Sequence, residues 1–240
     1  MKLKYSKNKM YLEALLVCVK YADYFTYFLD YNQKYFDDLL VVTMENDEQT
    51  IELCKKRDVR YTFTNRLGPQ FNKGKAINDG FAKLSLRDWI LITDADMIFP
   101  DNFRKRLETE KLNKDFLYGA CRCNFRTFKE WNNYLALDTA GRDALIADRN
   151  EQWREWKSRR KKIVGYFQLF NIQSFGFDRN KVKYSEDSPT ANVSDRYFYL
   201  LWEKKHRRMI NSFDLIHFAH RTGADGKNWR GRVGNDFGLK

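Results

Sequence analysis

Short apolar runs alternate with segments of helical spacing through the first hundred residues, and this alternation leaves the chain few folds to choose from. The runs LEALLVCVK, DLLVVTM, YTFTN and WILITDADMIFP are for the most part apolar at odd and even positions alike. A strand apolar on both faces needs cover on both faces, the condition met in parallel sheets. Between the runs lie YADYFTYFLDYNQKYF, with Phe25, Phe28, Leu29 and Phe36 at helical spacing, and DEQTIELCKKRD. A third helix opens near Gly74 and sets Ile77, Phe81 and Leu84 on one face. The pattern predicts an α/β fold, a mostly parallel central sheet flanked by helices. The second half differs. DFLYGACRCNFRTF reads as a long strand, EWNNYLALDTAGRDALIADRNEQWREWKSRRKK as mostly helical, IVGYFQLFN as a strand, and SDRYFYLLWEKK as a helix with Ser194 as N-cap. From Gly223 onward the tail holds five of the twelve glycines, which predicts a loop that wraps something.

The fourth run ends on Asp94 and Asp96, separated by one alanine. In an open α/β sheet, ligands collect at the carboxyl ends of strands. In an extended segment, residues two apart point the same way, so both carboxylates are expected to face one point. Two hard oxygen donors suit Mg²⁺ or Mn²⁺, which completes its shell from phosphates and water. The plain alternative is an acidic strand end running into a helix N-terminus at Pro100 and Asp101.

Just before that strand stands FNKGKAINDGF, residues 71–81. With Asn72, Gly74, Lys75, Asn78 and Gly80 it resembles the N-x-G-K-x-x-x-N-x-G stretch of the inverting GT-A-fold glycosyltransferases of the large family-two group. Taken as an ordered set, the resemblance runs over residues 13–232. It implies one GT-A-like (nucleotide-diphospho-sugar transferase) domain across 1–240, with a nucleotide-sugar-binding half at 1–100 and an acceptor-binding, catalytic half at 101–240. It further implies a donor site at Asn72, Gly74, Lys75, Asn78 and Asp94, and a D-x-D metal site at Asp94 and Asp96. His217 is the expected third metal ligand, with His220 as the alternative. Asp47, in MENDE, falls where an acidic residue would meet the nucleotide base. The catalytic base is expected at Asp195, at the head of a helix, where Ser194 replaces the usual glutamate; Asp187 is the other candidate. Lys227, Trp229, Arg230 and Arg232 of the tail would close over the donor, for which UDP is the family's expectation.

Group transfer to a hydroxyl explains these residue types. The hydroxyl is a weak nucleophile until a carboxylate takes its proton, and a divalent cation neutralises charge on a departing diphosphate. The formal net charge is +12, which favours an anionic partner. The stretch WREWKSRRKK, residues 153–162, interleaves Trp153 and Trp156 with six cations including Arg159 and Arg160. Such interleaving suits stacked bases and phosphates, so the acceptor expected is DNA with hydroxymethylated bases, or a surface glycan. Gln168 is a further candidate for contact with donor or acceptor. The same segment also reads as an amphipathic helix with its tryptophans turned inward.

No stretch of about 18 apolar residues exists, so no membrane-spanning helix is expected, and MKLKYSKNKM lacks the core of a signal peptide. The expected location is cytoplasmic, which agrees with four cysteines read as buried thiols. Two other classes stay open. A non-catalytic nucleic-acid-binding module would account for the charge without the aspartates. A sugar nucleotidyltransferase would use paired acids and a metal, but its glycine-rich loop after the first strand is absent from VCVKYADYF.

Overall fold

The computed structural model describes residues 10–64, 72–148, 163–174, 182–187 and 194–218. Four parallel strands form one half of an eight-stranded sheet: β1 (Leu12–Val17), β2 (Asp38–Thr43), β3 (Arg60–Phe63) and β4 (Trp89–Asp94), in the order β3-β2-β1-β4. The second half contributes β6 (Leu117–Phe125), β7 (Phe167–Asn171), β8 (Arg207–Phe218) and the two-residue β5 (Met97–Ile98). β7 runs antiparallel to both β4 and β6, while β6 and β8 are parallel. The expectation of a mostly parallel sheet therefore holds strictly only for the first half.

Alternation along the strands sorts the core. Leu12, Ala14 and Leu16 face α1 (Ala22–Asn32), α2 (Glu48–Lys56) and α4 (Phe103–Thr109), whereas Leu15, Ile90 and Ile92 face α3 (Lys73–Phe81) and α7 (Ser194–Leu200). A third cluster packs Trp131 and Tyr134 of α5 (Phe128–Leu135) against Phe125 and Phe218. The long helix expected after β6 is broken. Thr127 caps α5 through the Glu130 N–H, the helix stops at Leu135, and a second helix, α6, is described over 139–148. Asp138 starts it by accepting from the Gly141 N–H at 2.7 Å.

One topological feature sets up the site. Only Ala95 and Asp96 separate β4 from β5, yet β7, β6 and β8 lie between those two strands in the sheet order. In a flat sheet the gap would be about 19 Å, while so short a link spans at most about 11 Å. The sheet must curl until its β8–β5 edge returns to the end of β4. Asn32 of α1 fixes the outer side of β5, its amide donating to the Met97 carbonyl and accepting from the Phe99 N–H, both at 2.8 Å.

Candidate active site

The curl corrects one expectation about the aspartates. The chain is not extended across them: Asp94 ends β4, and Ala95–Asp96 form a turn. The two carboxylates accordingly take different partners. Asp94 is paired with the ammonium of Lys73, the first residue of α3. Asp96 lies 3.4 Å from Nε2 of His217, a residue placed beside it by the β5–β8 pairing of Met97 with His217. Across the β6–β8 ladder, Asn124 Oδ1 sits 2.9 Å from His217 Nδ1. With Nδ1–H donated to that amide oxygen, the other ring nitrogen, Nε2, is the one turned towards Asp96.

Asp96 and His217 fit Mg²⁺ or Mn²⁺ as a two-ligand site, with the remaining positions left to phosphate oxygens and water, and Asn124 supplies the outer hydrogen bond that orients a metal-binding imidazole. Among the described residues, no three His, Cys, Asp or Glu side chains converge on one point. Asp94 meets Lys73 through one carboxylate oxygen.

Lys73 is the residue that sequence reasoning missed. The motif drew attention to Lys75, whose ammonium instead pairs with Asp79 at 3.1 Å, one helical turn along α3. Burial works against the charged Lys73, but Asp94 next to it, with Asp195 and Asp96 adding to the field, more than offsets that and raises its pKa above the ordinary lysine value. One ammonium thus senses all three candidate acids.

Asp195 is the second residue of α7, and its carboxylate accepts from the Gly165 N–H at 2.9 Å. A Cβ on Gly165 would stand 3.0 Å from the Asp195 Cβ, so a glycine suits this approach. Burial lifts the Asp195 pKa above the ordinary aspartate value; the Gly165 hydrogen bond and Lys73 pull the other way without cancelling it. Asp187, the alternative base, is exposed, and its N–H lies 3.4 Å from Ser185 Oγ.

The asparagine–glycine motif is joined to Asp195 through the interior. Asn72 caps α3 by accepting from the Lys75 N–H at 2.9 Å and donates to the Glu186 carbonyl at 2.8 Å. Asn78 holds both backbone groups of Tyr184 at 2.9 Å. Gly74 lets the Ser185 carbonyl approach to where a Cβ would meet it at 2.2 Å, and Gly80 is equally tight against Leu15 and Val42. The Tyr184 hydroxyl then donates to Gln168, whose amide reaches the carbonyls of Ile163 and Asp195, each at 3.3 Å. Expected at a ligand, Gln168 is instead 0% exposed and spends its hydrogen bonds inside the protein. Asp47 is likewise buried, capping α2 while accepting from Lys20 N–H and the Thr43 and Thr50 hydroxyls. Its carboxylate is taken up by the loop it organises.

Trp153, Trp156, Arg159, Arg160, His220, Lys227, Trp229, Arg230 and Arg232 lie outside the described residues. The four cysteines are buried thiols outside any disulfide, and burial pushes the Cys54 thiol up to about 12.

No protein-family model matches the chain, and no curated protein does either. Solved structures do. TarS 1–349 from S. aureus superposes with a TM-score of 0.58 at 12% identity, covering 87% of this chain and 60% of that one. The fold is GT-A. The same protein in complex with UDP gives a TM-score of 0.57 over 88% of this chain, at 12% identity and 61% coverage of that chain. Glucosyl-3-phosphoglycerate synthase from Mycobacterium tuberculosis, in complex with Mn²⁺, UDP and glucosyl-3-phosphoglycerate, is more distant: TM-score 0.49, 13% identity, 90% of this chain and 75% of that one. The chain thus spans about three fifths of the TarS structure it resembles.

Proposed function

We propose that the protein is an inverting glycosyltransferase that moves a sugar from a nucleoside-diphosphate donor, UDP in the first instance, to an acceptor hydroxyl. The carrying observation is the pairing of Lys73 with Asp94 at the end of β4, with Asp195 and Asp96 adding to the field on the same ammonium, in a fold shared with TarS, which is seen with UDP. The crevice at the ends of β1 and β4 takes the donor, with the Lys73 ammonium beside its diphosphate. Asp96 and His217 would hold a divalent cation. When bound, that ion supplies Lewis-acid neutralisation of the diphosphate.

Asp195 takes the acceptor proton as the new glycosidic C–O bond forms and the anomeric C–O bond to the diphosphate breaks. Its raised pKa makes it a stronger base than a solvated aspartate. A single displacement with the base opposite the leaving group inverts the anomeric centre. The path from Asn78 through Tyr184 and Gln168 keeps the start of α7, and hence Asp195, in place. Nothing among the described residues favours DNA as the acceptor, since the tryptophans and arginines that suggested it fall outside them.

The test has two parts. Mn²⁺ with UDP should raise the melting temperature of the wild-type protein, a site at a hundredfold excess over Kd contributing about 2.7 kcal/mol. Asp195→Asn should retain that shift and lose sugar transfer by about 10²-fold or more. A protein indifferent to UDP with either metal refutes the donor site; near-wild-type transfer by the Asn variant refutes the base.

A further inference from the structure

Three of the five large apolar side chains exposed among the described residues fall within five positions of one another. Tyr197 is 53% exposed, Leu200 50% and Leu201 51%. They share the outer side of α7 and the turn that ends it, since Phe198 and Trp202 point inward at 1% and 7%. Spacings of three and four residues make them neighbours on a helical surface. Directly after them, Lys204, Lys205 and Arg208 are exposed, and Arg196 is exposed on the helix itself. The single acid in this stretch, Glu203, is paired with Lys205 at 3.0 Å.

Cations alone would suit any polyanion. Leucines at half exposure add nothing to binding a nucleic acid or a charged polysaccharide, whereas a bilayer uses both, apolar side chains in the acyl boundary and cations at anionic headgroups. We infer that the corner between α7 and β8 is a contact surface for anionic phospholipid membrane. Asp195 heads the same helix, about 8 Å along its axis from Leu200. Docking at this corner therefore holds the acceptor side of the crevice next to a bilayer, and the acceptor class it favours is one presented at a membrane surface. That consequence rests on the transferase reading; the contact surface itself does not.

Co-flotation of the full chain with phosphatidylcholine vesicles, with and without phosphatidylglycerol, tests it. Binding should require phosphatidylglycerol and fall at least tenfold in Leu200→Ser/Leu201→Ser, and comparably in Lys204→Gln/Lys205→Gln. Tyr197→Ser, a milder change, serves if the double leucine variant melts early, and should cut binding severalfold. Three results overturn the inference: equal or no binding to both vesicle types, leucine variants that bind as wild type, or a wild-type dimer that the leucine variant dissociates. Vesicle binding is measured without sugar transfer, so its failure leaves the reaction untouched, and the loss of transfer in Asp195→Asn leaves vesicle binding untouched.

Discussion

Gly74→Ala separates two opposite expectations. On an isolated helix, alanine in place of glycine is worth about 1 kcal/mol of added stability. Here the new Cβ would lie 2.2 Å from the Ser185 carbonyl oxygen and 3.3 Å from the Ser194 Cβ. Carbon contacts sit best at about 3.5 Å, so the carbonyl has to retreat by more than about 1 Å. Ser185 lies between Tyr184, held twice by Asn78, and Glu186, held by Asn72, so the retreat strains three hydrogen bonds of 2.8–2.9 Å. At about 1 kcal/mol net for each, the cost comes to about 3 kcal/mol, at the upper end of the about 1–3 kcal/mol general for overpacking, and outweighs the helical gain of about 1 kcal/mol. The expected net change is about 2 kcal/mol of destabilisation, or a fall of about 4–8 °C in melting temperature for a domain of this size. Thermal denaturation followed by circular dichroism is sufficient to read it. A Gly74→Ala variant melting at or above wild type would refute the docking of residues 184–186 on α3.

Burial holds the Asp195 pKa up, so the acid limb of kcat/KM should lie above the ordinary carboxylate value of about 3.9 and disappear in Asp195→Asn. The sign for stability is the reverse: a raised carboxyl pKa favours the native state below the unfolded value and loses that contribution as pH climbs through the raised one, so the Asn variant should melt no lower than wild type at pH 7. Lys73→Met should raise the KM for the nucleotide sugar at least tenfold and shrink the UDP-induced melting shift, with Lys73→Arg recovering part of both; unchanged donor affinity would remove Lys73 from the diphosphate. Gln168→Leu leaves the Tyr184 hydroxyl and two carbonyls without their partner, costing about 1–3 kcal/mol, and should lower kcat while sparing the UDP melting shift. Equal effects on kcat and UDP binding would contradict its assignment to positioning Asp195.

Much of the fold is written in the local pattern. Short runs apolar on both faces and helical spacing specify β1 to β4 and α1 to α3, because each element buries its own side chains whatever lies further along the chain. Asn72, Gly74 and Asn78 stand out in the sequence for a related reason: a cap, a close approach and a backbone clamp each demand one residue type. Their task was not legible, since the partners of that clamp, residues 184–186, lie more than a hundred positions away. Gln168 is hidden by separation too, since its core role depends on Tyr184 and Asp195, 16 and 27 positions further on. Which acid meets which partner was decided by the tertiary structure alone. The short link between β4 and β5 forces the sheet to curl, and the curl sends Asp96 to His217 and leaves Asp94 for Lys73. Charges two residues apart in the sequence part company there, because a turn obeys the geometry of the whole sheet and a strand only that of its own backbone.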